Sequence, residues 1–125
     1  MTEIEFRLPE DDQALEAAVA EFIQIEFQQT AQFQPEPLPT GEHKGLAELA
    51  WKLVVIAATI EGTLQFAERV KRMERVEKLL AVIQVSGKTV YLKIRGKAVD
   101  LAKLSVDEVM NLLAGDNDDQ GKSDD

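Results

Sequence analysis

Few residues of this chain have the types and spacing that catalysis or metal binding requires. His43 is the only histidine, and the chain has no cysteine. It stands between Glu42 and Lys44, and this surrounding sequence supplies neither a second metal ligand nor a partner for proton transfer. We interpret His43 as an exposed loop residue, and the sequence predicts no catalytic residue and no metal site.

The glycines and the acidic pairs also have ordinary explanations. Gly41 and Gly45 lack the lysine-hydroxyl pair and the preceding strand of a phosphate-binding loop. Acidic residues at 10–12 and 107–108 suit the first turns of helices, where negative charge is favourable. The aspartates of residues 116–125 lack the glycine and glutamate register of a calcium loop. The sequence therefore predicts no bound cofactor.

Basic side chains form a cluster that we call the basic run. It contains Arg69, Lys71, Arg72, Arg75 and Lys78. A nucleic-acid surface would normally add aromatic platforms and a basic domain overall, whereas Tyr91 is the only aromatic residue beyond this run and the net charge is -9. We predict no nucleic-acid partner, and interpret the basic run as a solvated helix surface.

The charge is unevenly distributed along the 125 residues. Residues 1–50 hold 11 acids and 2 bases, residues 51–103 hold 5 acids and 11 bases, and residues 104–125 hold 7 acids and 1 base. A basic middle between acidic ends indicates complementarity within the chain or between copies of it.

The N-terminal third predicts a strand, a helix and a second strand. Residues 2–8 alternate, with Ile4, Phe6 and Leu8 on one side, as in a half-buried strand. A helix capped by the aspartates at 11 and 12 then extends to about residue 26. Residues 27–34 alternate again and predict an edge strand. The prolines at 35, 37 and 39 make residues 35–42 a stiff linker.

Residues 44–85 predict one long helix, with Gly62 as the candidate position of a kink because glycine is a poor helix former. Apolar residues recur at spacings of three and four, typical of a coiled-coil seam. This interaction seam comprises Leu46, Leu49, Leu53, Ile56, Ile60, Val70, Met73, Val76, Leu80 and Ile83. A helix of that length would span about 60 Å, too long for a compact domain of this size. We therefore expect the helix either to bend or to protrude and be covered by a partner.

The C-terminal part predicts a hairpin and a short helix. Residues 88–95 alternate, Gly96 and Lys97 form a candidate turn, and residues 98–101 return as a second strand. Ser105 and Glu108 have the spacing of a capping box, and Gly115 suits a helix end. Residues 116–125 are predicted to be a disordered acidic tail. The predicted fold is α+β, with one small domain at 1–115.

This order of elements resembles the effector-associated constant component family of bacteria. The resemblance covers residues 1–115, and includes the hairpin sequence at 90–101 and the Ser105-x-x-Glu108 helix start. Members of the family are small accessory proteins of predicted immune or conflict systems, found with peptidase-like or other effector modules. The resemblance implies an accessory role and brings no catalytic residues.

These observations favour a non-enzymatic adaptor that binds a protein partner or self-associates through the long helix. The alternative is a peripheral membrane component that uses residues 51–60 and the basic run, because an apolar stretch followed by bases suits a membrane surface. A small enzyme is the least favoured hypothesis, since no nucleophile-base pair is visible. The N-terminus lacks a basic and an apolar region of the signal-peptide type, so a cytoplasmic location is expected.

Overall fold

A computed structural model of the protein describes residues 1–35, 51–60 and 64–114. Within these residues there are five strands and three helices, together with a short 3-10 helix at Leu101–Lys103. The elements in chain order are β1 (Thr2–Pro9), α1 (Gln13–Phe27), β2 (Gln34–Pro35), β3 (Trp51–Ala58), α2 (Phe66–Ser86), β4 (Tyr91–Ile94), β5 (Lys97–Asp100) and α3 (Val106–Ala114). The predicted α+β class is confirmed.

One antiparallel sheet joins all five strands in the order β2-β3-β1-β4-β5. β1 is central and pairs with β3 along its whole length, from Thr2 opposite Ala58 to Pro9 opposite Trp51. Its other side pairs with β4. The N-terminal strand and the C-terminal hairpin therefore belong to a single sheet.

All three helices cover the same face of this sheet. Ile4, Phe6 and Leu8 point from β1 into the core, as their alternation predicts, and are essentially inaccessible to solvent. They meet the buried stripes of the helices there. The core residues of the helices are Leu15, Val19, Phe22 and Ile23 of α1, Val76, Leu79, Leu80 and Ile83 of α2, and Val109, Met110 and Leu113 of α3.

The predicted helix at 44–85 is wrong in its first half. Residues 51–58 form β3, and α2 begins only at Phe66. Val54 and Ile56 point into the core whereas Val55 between them is exposed, which is the two-residue period of a strand. Burial against β1 favours the β-branched residues of this stretch in an extended conformation. Gly62, the predicted kink, lies outside the described residues.

The segment that follows α1 differs in part from the predicted strand at 27–34. α1 ends at Phe27, and Gln28 adopts a left-handed conformation (φ 58°) that stops the helix. Only residues 34 and 35 pair with β3. Gln29 donates a side-chain hydrogen bond of 2.8 Å to the carbonyl of Ala57, so residues near 29 also lie beside β3. Of the predicted linker at 35–42, only Pro35 is described.

The C-terminal hairpin and the short helix form as predicted, except that the hairpin turn lies one residue earlier. The hairpin turn is Arg95-Gly96 rather than Gly96-Lys97, and both residues have positive φ, as a type I′ turn requires. The amide of Glu108 donates to Ser105 Oγ while Glu108 Oε1 accepts from the amide of Ser105, the reciprocal bonds of a capping box. Gly115 and the acidic tail lie outside the described residues.

Asp12 caps α1, and this cap predicts a pH-dependent stability. Its Oδ1 accepts from the amide of Leu15 at 3.0 Å, and Lys88 Nζ lies 3.3 Å from Oδ2. The hydrogen bond from Leu15 holds the pKa of the Asp12 carboxyl below its ordinary value, with Lys88 acting in the same direction. Because the pKa of Asp12 is lower in the folded protein than in the unfolded chain, its ionised carboxylate stabilises the fold at pH values above the unfolded pKa. That stability is lost as the pH falls through the folded pKa.

Asp12→Asn should therefore separate charge from capping, because asparagine caps about as well as aspartate. We expect the variant to be less stable at pH 7 by about 0.5–1 kcal/mol, the usual size of a charge effect at a helix N-terminus. Urea unfolding from pH 7 to pH 3 should show this difference shrinking below about pH 4, near the unfolded pKa of aspartate. A difference that stays constant with pH would contradict the assignment.

Candidate functional site: an interaction surface

The face of the sheet opposite the helices is built mainly from alternate residues of the three central strands, β3, β1 and β4. We call it the open face, because no helix among the described residues packs on it. It is formed by Trp51, Leu53, Val55 and Ala57 of β3, Glu3, Glu5 and Arg7 of β1, and Tyr91 and Lys93 of β4.

An apolar column runs along β3 on this face. It consists of Trp51, Leu53, Val55 and Ala57. Val55 is 43% exposed, while Trp51 and Leu53 are half-buried. The Trp51 ring lies 5.9 Å from that of Tyr91 on β4, so an aromatic pair bridges one end of the face. Large apolar side chains gathered in one exposed patch are typical of a binding surface.

Charged side chains occupy the strands beside this column. In the register of the sheet, Glu5 lies between Val55 and Lys93, and Arg7 lies between Leu53 and Tyr91. Along β1 the charge on this face changes from negative at Glu3 and Glu5 to positive at Arg7. A depression of about 480 Å³ near Glu5 and Lys93 continues the face towards the β4-β5 turn. The open face therefore combines an apolar column on β3 with a column of charged residues on β1.

The interaction seam predicted from the sequence is not one surface. Val76, Leu80 and Ile83 are buried in the core under the sheet, and Val70 and Met73 are half-buried on the same helix. Leu53 and Ile56 belong to β3 and point to opposite faces, and Ile60 follows that strand. Leu46 and Leu49 lie outside the described residues. Val76, Leu80 and Ile83 are therefore not available to a helical seam between copies, because they already pack in the core.

The basic run is only in part the solvated surface that the sequence predicts, since Arg69, Lys71 and Lys78 are exposed whereas Arg75 is half-buried. Arg72 is buried, and its Nε donates to Glu26 Oε2 of α1 at 2.5 Å. Arg75 donates to the other oxygen of the same carboxylate at 2.8 Å, and Lys78 pairs with Glu21 at 2.9 Å. Only Arg69 and Lys71 are exposed residues without a described ion pair to α1.

These contacts explain the charge distribution of the chain. Lys52 pairs with Glu16 across the helix-sheet boundary, and Lys88 pairs with Asp11 and Asp12. Together with the pairs of α2, they join the basic middle to acids of the N-terminal third. The expected complementarity within the chain is therefore observed in the described residues. It leaves the basic run with little free charge for a phosphate or a lipid headgroup.

Residues 51–60 cannot act as the amphipathic membrane helix of the alternative hypothesis, because they include β3 and supply Val54, Ile56 and Ala58 to the core. Among the described helices, none has the length and apolar character needed to cross a bilayer.

The described residues also lack any group of three or more histidine, cysteine or acidic side chains placed to hold a metal ion. His43 lies outside the described residues. A groove of about 340 Å³ separates the outer sides of α1 and α2, but alanines and aliphatic side chains line most of it, with the Glu21-Lys78 pair at its rim.

The open face went unpredicted although a signal for it was present. Residues 53–60 are a run of eight without a charge, and short apolar runs fit a buried strand as well as a helix. Compared with protein-family models, with curated proteins and with solved structures, the chain gave no match.

Proposed function

We propose that this protein is a non-enzymatic interaction module that binds a protein partner on the open face of its sheet. The single observation that carries the proposal is the apolar column beside the Trp51-Tyr91 pair, opposite the covered face of the sheet. Tryptophan and tyrosine are enriched where protein interfaces gain most of their binding energy. The flanking charges of β1 and β4 would supply the polar rim that gives orientation.

We propose an accessory or adaptor role for this module, in a bacterial effector or conflict system and in the cytoplasm. The support for this context is the resemblance to the effector-associated constant component family, as carried by the hairpin sequence at 90–101 and the Ser105-x-x-Glu108 helix start. The long helix is replaced as the binding element by the open face, because the apolar residues of α2 are used inside the core. A neighbouring gene for a peptidase-like or other effector would support the context.

Photo-crosslinking in the native host tests the binding surface. A photoreactive phenylalanine derivative is placed at Val55 on the open face, or at Val85, which is 89% exposed on α2 and serves as the matched control. We expect covalent adducts from position 55 and far fewer from position 85. Mass spectrometry then identifies the attached chain. Equal adducts from both positions, or none from position 55, would exclude the open face as the binding surface.

A further inference from the structure

The open face has an arrangement of charge and apolar surface that complements itself. Two rows of side chains cross the three central strands next to each other. The first row is Leu53, Arg7 and Tyr91, and the second is Val55, Glu5 and Lys93. Each row thus has an aliphatic residue on β3, a charged residue on β1, and an aromatic or cationic residue on β4.

We propose that the partner of the open face is a second copy of this chain, packed face to face about a two-fold axis that crosses the strands between these two rows. Such an axis places each strand over the same strand of the second copy, and places the first row over the second row of that copy. Leu53 of one copy then meets Val55 of the other. In the same way Arg7 meets Glu5 of the other copy, and Tyr91 meets its Lys93. This inference rests on the proposed function and names its partner.

All three contacts are favourable, and the symmetry makes each of them twice. Aliphatic side chains bury each other, the guanidinium meets a carboxylate, and an ammonium group meets the face of an aromatic ring. At the end of the column, Trp51 meets the small Ala57, which suits close packing of two sheets about 10 Å apart.

Other two-fold arrangements fit less well. An axis parallel to the strands, between β1 and β4, would place the apolar column over β5. There Asp100 is the residue opposite Tyr91, so its carboxylate would be on this face. Burying aliphatic side chains against a carboxylate gains little and costs desolvation. The opposite charges of Glu5 and Arg7 along β1 therefore select the axis that crosses the strands.

The size of the face indicates a weak dimer. A strand of eight residues is about 26 Å long and five strands are about 19 Å wide, and β4 and β5 are only four residues long. Each copy therefore offers at most about 500 Å², which places the dimer at the small end of specific interfaces. We expect dissociation constants on the order of 10–100 µM.

Sedimentation equilibrium of the full chain from about 5 to 500 µM, a range that brackets this affinity, tests the proposal. In the Glu5→Arg variant, each central contact between the copies brings two arginines together. In the Arg7→Glu variant, each brings two glutamates together. We expect either variant alone to associate at least about tenfold more weakly than the wild type, because like charges in an interface are strongly unfavourable. An equimolar mixture of the two variants should recover association, since both cross-contacts again pair opposite charges.

Glu3→Arg is the matched control. It changes the same charge on the same face of the same strand but lies outside the two central rows, so we expect association like that of the wild type. Circular dichroism and thermal unfolding confirm that each variant is folded. A wild type that stays monomeric at 500 µM overturns the proposal, as does a mixture that associates no better than its components.

Failure of this inference is distinguishable from failure of the proposed function. A crosslink from position 55 to a different protein, together with a monomeric wild type, keeps the open face as a binding surface and removes the second copy as its partner. Self-adducts of twice the chain mass from position 55 support both.

Discussion

Glu26→Gln is expected to lower the free energy of unfolding by about 3–5 kcal/mol, the usual cost of removing one partner from a buried ion pair. The Glu26 side chain is 3% exposed and the Arg72 side chain is 6% exposed. Both oxygens of the carboxylate accept from guanidinium groups of α2. Glutamine keeps the size but removes the negative charge, so the buried Arg72 would lose the carboxylate that accepts from its Nε.

Glu21→Gln is the matched control for this experiment. Glu21 pairs with Lys78 across the same two helices, but both side chains are largely in water. Exposed pairs contribute at most about 1 kcal/mol, so urea unfolding should show a small change. If Glu26→Gln cost no more than Glu21→Gln, the buried pair would not stabilise the packing of α1 on α2.

A second comparison replaces both charged residues of the buried pair by apolar residues. Glu26→Leu combined with Arg72→Met removes both buried charges and keeps similar volume. Such replacements are often neutral or stabilising. We therefore expect the double variant to be more stable than Glu26→Leu alone, which would identify the loss of the Glu26 charge beside Arg72, rather than lost packing, as the source of the destabilisation.

Ile56→Asp is expected to remove cooperative folding. Ile56 is 7% exposed on the covered face of β3, opposite Ile4 of the central strand. An unpaired carboxylate there costs several kcal/mol in addition to the lost apolar burial. A domain of this size has a total stability of about 5–15 kcal/mol, so the loss is a large part of it. Far-ultraviolet circular dichroism and urea unfolding would measure the effect.

Val55→Asp is the neighbouring control, because Val55 points to the open face. We expect this variant to stay folded and to lose less than about 1 kcal/mol, as exposed substitutions usually do. Extending the series to Val54 and Ala57 should show large and small effects that alternate with a period of two. A period of three to four residues would instead indicate a helix at 51–58.

The sequence was sufficient where a signal is local. Ile4, Phe6 and Leu8 alternate because a strand turns every second side chain to the core, and Ser105 with Glu108 closes a helix start through contacts three residues apart. Gly87 ends α2 in the left-handed conformation that glycine adopts easily. Each of these features depends only on neighbours in the chain.

The sequence was insufficient where a distant segment decides the structure. The run at 53–60 satisfies a helical and an extended pattern equally, and only pairing with β1, about 50 residues earlier, selects the strand. Arg72 belongs to a charged helix surface by local pattern. It is buried because α1 places Glu26 against it, 46 residues away in the chain.

The sequence by itself determined the α+β class, the N-terminal caps of α1 and α3, the C-terminal hairpin and the matching of acidic and basic parts of the chain. The tertiary structure decided that residues 51–58 join the sheet, that the apolar stripe of α2 packs in the core, and that the exposed apolar surface lies on the sheet. The physical reason is that propensity and capping act over a few residues, whereas strand pairing and burial depend on which distant segments meet.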